Sequence, residues 1–247
     1  VIVRLMPNPS EGNPPSYLSV PVDGGSSAEI QALPDPGKHA LAHVFKIEID
    51  PYIGRLAVFR VHQGRITPGT QLYVGEGRKP VKPGHLYLLR GKQQIEVSEA
   101  VPGDICAIAK VDEIQFDHIL HDSAEDAHIR ARPLELPTSV FGLAVKPKKR
   151  GEEQKVSDVL HKLIAEDPCF RIEHNAQANE TVMRGLGEMH LRTTLEKISS
   201  QYKLELDTRP PSIAYRETVA ARALRPGEEL LAGKLPRDHV FQPGDGR

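Results

Sequence analysis

Apolar residues between His39 and Asp112 come in short runs, and each run ends at a turn signal. The dipeptides Pro68-Gly69, Pro83-Gly84 and Pro102-Gly103 each place a fixed φ before a residue that is free to adopt φ > 0, as a type II turn requires. Repeated chain reversal between short strands is typical of a β-barrel or a β-sandwich. The predicted strands lie within ALAHVFKIEI, RLAVFRVHQG, QLYVG, HLYLLRG, QQIEVSEAV and DICAIAKV.

The spacing of apolar residues changes from a strand pattern to a helix pattern beyond Thr138. Two amphipathic helices are predicted, one within EEQKVSDVLHKLIAED and one that begins after Gly187. Strands are predicted at Val140–Val145 and within CFRIEH, ETVMRGLG and KLELD. The order β-α-β-β-α-β predicts a ferredoxin-like domain, in which both helices cover one face of an antiparallel sheet.

These patterns divide the chain into five segments. Seven of the 21 prolines fall within the first 37 residues, which predicts an extended, loop-like linker there. The last 29 residues contain four glycines and three prolines and show no sustained period, which indicates an irregular end. The segments are a linker at 1–37, the barrel at 38–115, an inter-domain connection at 116–137, the ferredoxin-like domain at 138–218 and a tail at 219–247.

The charge balance excludes a protein that binds nucleic acid through a bulk positive field. The 247 residues include 32 Lys and Arg against 33 Asp and Glu, for a formal net charge of -1. Any contact with RNA must therefore come from local groups of cations. No apolar run approaches the roughly 18 residues of a membrane helix, and the first residues do not form a signal peptide. We expect a cytoplasmic, monomeric chain with no membrane partner.

The sequence lacks the common motifs of enzyme active sites. It contains no P-loop, no G-x-S-x-G elbow and no H-E-x-x-H helix, so we predict no catalytic residue and no nucleotide held by these residues. A cluster around His118, His121 and His128 leaves one alternative open, a metal-dependent hydrolase, because imidazoles at this spacing can reach one ion. The other interpretation, which we adopt, is a solvated polar loop with no metal site.

Two groups of basic residues are better candidates for a binding surface. Arginines bracket the second barrel strand, and a basic loop follows the first strand of the second domain. Either group could bind phosphate oxygens, or both could belong to a solvated charged face. The candidates are Arg55, Arg60 and Arg65 in the barrel, and Lys146, Lys148, Lys149 and Arg150 in the loop.

Two long stretches carry a family resemblance. Residues 45–74, FKIEIDPYIGRLAVFRVHQGRITPGTQLYV, closely resemble the start of domain II in the translational GTPase elongation factor G. Residues 163–219 are similar to domain III of that family, with its Glu-Asp-Pro-x-Phe-Arg, Gly-x-Gly-Glu-x-His-Leu and Ala-Tyr-Arg-Glu-Thr blocks. The resemblance covers residues 38 to 219 in the family's order, whereas the tail departs from the family pattern.

The resemblance implies a docking function rather than a reaction. In the family a G domain precedes this region and holds GTP and Mg²⁺, so the linker at 1–37 would follow that G domain and these 247 residues would need no cofactor. The implied function is to dock on the ribosome, on small-subunit rRNA and ribosomal proteins, and to couple GTP hydrolysis by the parent protein to tRNA–mRNA translocation. Ribosome recycling, ribosomal protection and a free-standing RNA-binding module remain alternatives.

The resemblance also gives roles to particular residues. It implies contact with rRNA or with the G domain for the arginines and the basic loop named above. It further implies that the strand-to-helix junction of the second domain transmits nucleotide state between domains. The junction candidates for interdomain coupling are Gly185, Gly187, Glu188 and His190.

Overall fold

The structure of the chain is a computed structural model, whose described residues form three antiparallel sheets. The predicted tail at 219–247 lies outside the described residues. Within the part of the chain that is described, no helix is both long and apolar enough to cross a membrane. The described residues are 5–8, 16–20, 27–50, 53–77, 79–91, 93–176 and 178–213.

The segment 1–37 departs from the loop-like linker predicted for it. It contains two short strands, β1 (Ser16–Ser19) and β2 (Ala28–Gln31), which pair with each other antiparallel. Their four-residue length and mixed polarity give little strand signal in the sequence. The reason they form is tertiary, because Tyr17 of β1 is buried against Leu41 and Ile119 of the neighbouring barrel.

A seven-stranded sheet curves around the largest hydrophobic core and forms the predicted barrel. Its strand order is β5-β9-β3-β4-β8-β6-β7, and the bridges Ile66–Ala100 and Leu72–Val81 add links outside these strands. Because β9 lies within 116–137, the barrel sheet continues into the predicted connection. The strands are β3 (Leu41–Asp50), β4 (Gly54–Gln63), β5 (Tyr73–Val74), β6 (Leu86–Arg90), β7 (Gln93–Glu96), β8 (Ile105–Ala109) and β9 (Ile119–His121).

Two of the three predicted Pro-Gly turns have the expected backbone. Gly69 and Gly103 adopt φ of 88° and 101°, as the second central residue of a type II turn requires. Gly84 does not adopt a positive φ, so the prediction is wrong there. The chain only bends at Gly84, and the carbonyl of Pro83 before it accepts the Gly69 N–H at 2.9 Å, which ties this bend to the other turn.

The rest of the predicted connection joins the barrel to the first two strands. A short 3-10 turn at Ala124–His128 is followed by β10 (Ile129–Ala131), which pairs antiparallel with β1. The three-stranded sheet therefore has the order β10-β1-β2. The chain that enters the barrel and the chain that leaves it lie side by side in this sheet.

The second domain has the predicted β-α-β-β-α-β order, and its antiparallel sheet has the order β12-β13-β11-β14. Buried side chains of both helices pack on this sheet around Phe170 and Met183. The ferredoxin-like prediction is confirmed. The elements are β11 (Phe141–Pro147), α1 (Glu153–Glu166), β12 (Arg171–Asn175), β13 (Glu180–Gly185), α2 (Glu188–Tyr202) and β14 (Leu206–Arg209).

Candidate functional site

Arg55 and Arg60 both lie on β4 but point to opposite faces, because they are five positions apart and successive side chains of a strand alternate between its faces. Arg55 shares the inner face with the core residues Ala57 and Phe59. Its Nη2 donates a 2.7 Å hydrogen bond to the carbonyl of Ile114, and its Nε is buried with no hydrogen-bond partner among the described residues. Arg55 therefore holds the β8–β9 connection against β4, and RNA contact through it stays a prediction.

Arg60 is exposed on the outer face of the barrel, beside His43 of β3. Burial lowers the pKa of the neighbouring His62 to about 4, and the positive charges of Arg60 and His43 add to this shift. Burial also raises the pKa of Tyr17 above its ordinary range, with Arg60 acting in the opposite direction. Because His62 is neutral near pH 7, Arg60 carries the fixed positive charge of this surface.

Arg65 lies beyond the end of β4 and forms an ion pair with Glu99 at 3.1 Å. About half of each side chain is exposed, at 54% and 48%, so the pair is solvated and partly neutralises the arginine. The three arginines thus face the barrel interior, the outer face and a loop. The three arginines are close together in the sequence, but their side chains do not form one surface patch in the structure.

The four residues of the basic loop are exposed, and the structure places Lys146 in β11 and the other three between β11 and α1. Lys148 donates to Glu205 at 3.1 Å, and this hydrogen bond and charge raise the pKa of Lys148. Lys146, Lys149 and Arg150 form no ion pair with any described residue. Three solvated cations in this region therefore remain available for an anionic partner.

The junction between β13 and α2 depends on Gly185 rather than on Gly187. A Cβ added at Gly185 would lie 2.8 Å from Leu191 Cδ2 and 3.0 Å from His190 Nδ1, so a larger residue would have to displace these two side chains of α2. Gly187 has φ of -175° and open space around its Cβ position, which any residue accepts. Glu188 is exposed in the first turn, where the helix dipole favours a negative charge.

His190 links α2 to the end of α1. Its Nδ1 accepts the backbone N–H of Leu186 at 3.1 Å, which leaves Nε2 to donate to Asp167 Oδ2 at 2.7 Å. The other oxygen of Asp167 accepts the N–H of Cys169 at 2.8 Å. Both ring nitrogens are therefore engaged, and His190 fixes the relative position of the two helices.

A cavity of about 600 Å³ lies between β3 of the barrel and the two helices of the second domain. Glu166, the last residue of α1, faces it with a side chain that is only 11% exposed. Glu166 Oε1 accepts the N–H of Ile49 on β3 at 2.9 Å, and Oε2 accepts from Lys197 Nζ at 2.5 Å. Among the lining residues, the polar ones include Lys46, Glu48, Thr194 and Gln201.

Sequence reasoning singled out His190 but missed Glu166, Asp167 and Lys197. A signal was present, since two acidic residues at the carboxyl end of a predicted helix oppose its dipole and call for partners. Their partners, however, lie on β3 and α2, far along the chain. Helical spacing places His190 and Lys197 on one face of α2, because seven residues make about two turns.

The three histidines of the metal-site alternative are each used by nearby backbone groups. His121 is fully buried, and its ring nitrogens face the carbonyl oxygens of Ser123 at 2.6 Å and Gly75 at 2.8 Å. His118 Nδ1 accepts the N–H of Gln115, and His128 Nδ1 lies 2.6 Å from the Glu125 carbonyl. The described residues contain no group of three His, Cys, Asp or Glu placed to hold a metal ion.

Comparison with known protein families gives two matches along the chain. The family described as elongation factor G domain 2 matches residues 39–119, which span the barrel. The family described as elongation factor G, domain III matches residues 136–210, which span the ferredoxin-like domain. The two domains follow one another in the order that the sequence blocks had indicated.

Individual relatives agree with these matches. Elongation factor G of Hyphomonas neptunium is 31% identical over 223 residues, covering 90% of this chain and 31% of that protein. Elongation factor G 1 of Syntrophomonas wolfei is 31% identical over 243 residues, covering 93% of this chain and 36% of that protein. A crystal structure from Thermus thermophilus superposes with a TM-score of 0.62 at 31% identity, over 71% of this chain and 26% of that one. The chain thus spans about a third of the length of these curated relatives. It belongs to the elongation factor G family and carries that family's domain II followed by domain III.

Proposed function

We propose that these two domains form the ribosome-docking and transmitting portion of a translation elongation factor. In this proposal the barrel and the ferredoxin-like domain bind the small ribosomal subunit in the cytoplasm and couple GTP hydrolysis to tRNA–mRNA translocation. One observation carries the proposal: family domains II and III follow each other on a chain whose relatives are named elongation factor G.

The binding chemistry we propose is contact with RNA phosphates. A net charge of -1 gives no bulk attraction to RNA, so local cations must supply it. Arg60 is an exposed cation on the barrel, and Lys146, Lys149 and Arg150 are exposed cations on the basic loop. Contacts of this kind position a protein on folded RNA without reading sequence, which suits a factor that docks at one place on a ribosome.

Nucleotide chemistry is assigned in this proposal to the G domain of the parent protein, together with its GTP and Mg²⁺. The residues of domains II and III bind and transmit. Gly185 and His190 are the proposed coupling residues, because the glycine leaves room for the His190 and Leu191 side chains and the histidine joins both helices. Gly187 and Glu188 stay predictions of the same kind, supported only by their place at the junction.

Binding of the chain to purified small ribosomal subunits as a function of salt tests the proposal. We expect Arg60→Ala to weaken binding and to reduce the slope of log K against log salt by about one, because one phosphate contact is lost. The double variant Lys149→Ala with Arg150→Ala should reduce the slope by about two for the same reason.

Arg65→Ala is the matched control, since it removes the same charge from a side chain that already pairs with Glu99. We expect it to bind as the unchanged chain does. Failure of the unchanged chain to bind small subunits would contradict the docking function. Equal salt slopes for all variants would instead remove Arg60 and the basic loop from the interface.

A further inference from the structure

The chain that leaves β14 folds back over the face of the sheet that the helices do not cover. On β11 and β13, Val145 and Met183 belong to the core beneath the helices. Because side chains alternate along a strand, their neighbours Ala144 and Val182 face the other side, yet they are only 2% and 3% exposed. Something other than a helix therefore covers this helix-free face.

Residues 210–212, called the exit segment, supply part of that cover. The Cβ position of Gly142 on β11 lies 3.4 Å from both Pro211 Cγ and Val182 Cγ1, so the proline lies over the strand on the same side as Val182. Because Gly142 has no side chain of its own, the exit segment can lie close to the sheet. The exit segment is thus packed on the helix-free face and does not run from the end of β14 straight into solvent.

Glu180, at the start of β13, holds the exit segment by hydrogen bonds. Its side chain is only 5% exposed. Oε1 accepts the Ser212 N–H at 2.6 Å, and Oε2 accepts the Ser212 hydroxyl at 3.1 Å and Arg209 Nη2 at 2.7 Å. A buried carboxylate needs such partners to offset its loss of water, and hydrogen bonds to a charged acceptor are among the stronger ones in proteins.

The place of Glu180 in the sheet gives these hydrogen bonds their effect. Strand β11 lies between β13 and β14, so Arg209 and Ser212 reach Glu180 across a whole strand. A local turn would hold only the end of β14. The three hydrogen bonds instead fasten the exit segment to the sheet two strands away from β14.

We propose that Glu180 is a positioning residue that fixes where the chain leaves the ferredoxin-like domain. Glu180, Arg209 and Ser212 are together called the Glu180 clasp. With the clasp closed, the chain after Ser212 starts from the helix-free face, beside β13, in one direction. Without the clasp, the chain would leave β14 in any direction that the two prolines of the exit segment allow. This role does not depend on ribosome binding, so the docking function and the clasp can fail separately.

Amide hydrogen exchange, measured by NMR on the 247-residue chain, tests the clasp. In the unchanged chain the Ser212 N–H should be protected, because it donates to a buried carboxylate. Glu180→Ala should speed its exchange by about tenfold or more, since a hydrogen bond to a charged acceptor is lost. The Met183 N–H, on an internal strand of the sheet, reports the stability of the whole domain and is the internal reference.

A distance measurement tests whether the direction of the chain changes. Spin labels carried by a noncanonical amino acid replace Ile213, just after the exit segment, and Ser199 on α2, both of which are exposed. Pulsed electron resonance should give one narrow distance distribution for the labelled chain. Adding Glu180→Ala should broaden that distribution, because the exit segment is released from the sheet.

Two further variants separate the clasp from general stability. Glu180→Gln keeps an oxygen for the Ser212 N–H but loses the charge, and Arg209→Gln removes only the contact from the arginine. Each should speed Ser212 exchange, though less than Glu180→Ala does, without changing Met183 exchange.

Glu173→Ala is the matched control, because Glu173 lies on the same sheet face and pairs with Arg184 at 2.5 Å, outside the clasp. It should leave Ser212 exchange unchanged. An unprotected Ser212 N–H in the unchanged chain, or slow Ser212 exchange that persists in Glu180→Ala, would overturn the proposal. If Glu180→Ala speeds Ser212 and Met183 exchange equally, the two Gln variants decide, and the absence of faster Ser212 exchange in both would overturn it.

Discussion

Gly64 shows how closely two backbone segments approach at one end of the barrel. Its φ is 74°, and a Cβ at this position would lie 2.4 Å from Ala40 Cα and 2.5 Å from Ala40 N. Its own N–H donates to the Asp35 carbonyl at 3.0 Å. The backbone of Ala40, just before β3, therefore lies so close to Gly64 that a hydrogen atom fits at the Cβ position of this residue and a methyl group does not.

We expect Gly64→Ala to destabilise the barrel by about 3 kcal/mol, because it adds a backbone overlap to a left-handed conformation. Gly69→Ala is the matched control, since Gly69 has a similar φ of 88° but open space around its Cβ position. It should cost about 1 kcal/mol. Urea unfolding gives both values, and equal costs would contradict the close approach at Ala40.

His62 makes the stability of the barrel depend on pH. Burial, reinforced by Arg60 and His43, lowers its pKa from 6.5 to about 4 in the folded chain. Between these two values the unfolded chain binds more protons at this residue than the folded chain does. The contribution of neutral His62 to the free energy of unfolding is therefore fully present above pH 6.5 and is lost as the pH falls towards 4.

Replacing His62 by Gln should remove about 2 kcal/mol of the stability change between pH 7 and pH 4, a value that allows for solvent access to this ring. The measurement is urea unfolding of both proteins across that range. His85→Gln serves as the control, because His85 is exposed. If the free energy of unfolding changes with pH in the same way for His62→Gln and for the unchanged chain, His62 is not a buried, neutral imidazole in the folded chain.

The ends of the two helices show different solutions to the same problem. Helix α1 ends with acidic residues that require partners from other elements, as described for Glu166 and Asp167. Helix α2 is followed by Lys203, which adopts a left-handed conformation with φ of 57° and donates its N–H to the Ile198 carbonyl. Glycine is the residue most often found at such a helix end, because it has no Cβ to strain.

Lys203→Gly should stabilise the ferredoxin-like domain by about 0.5–1 kcal/mol, since it relieves the left-handed strain at the end of α2. Lys203→Ala should bring no such gain, because alanine keeps the Cβ. Thermal unfolding of the domain compares the two. A gain that is equal in both variants would point to the lysine charge rather than to the backbone.

The regular parts of the fold follow from local patterns in the sequence. The apolar spacing of Val156, Val159, Leu160, Leu163 and Ile164 predicts α1, and all of them except Ile164, which is exposed, are buried in the helix. Alternation along β4 places Phe59 inside the barrel. Elements of this kind are predictable because buried and exposed positions recur with a fixed period along one helix or strand.

The parts that escaped prediction depend on contacts between distant residues. Strands β1 and β2 are short and polar, and they form because β10, more than 100 residues later, completes their sheet. Arg55 and Arg60 look equivalent in the sequence, and only the pleat of β4 separates an inner arginine from an outer one. Glu166 reaches Ile49 across 117 residues. The predicted domain boundaries and the predicted contact residues stay predictions.

The chain enters and leaves the barrel through the short sheet formed by β1, β2 and β10. In this sheet β1, which precedes the barrel, and β10, which follows most of it, are adjacent antiparallel strands. Tension applied upstream of Ser16 would therefore act directly on the pairing of β1 with β10, the strand that leads towards the ferredoxin-like domain.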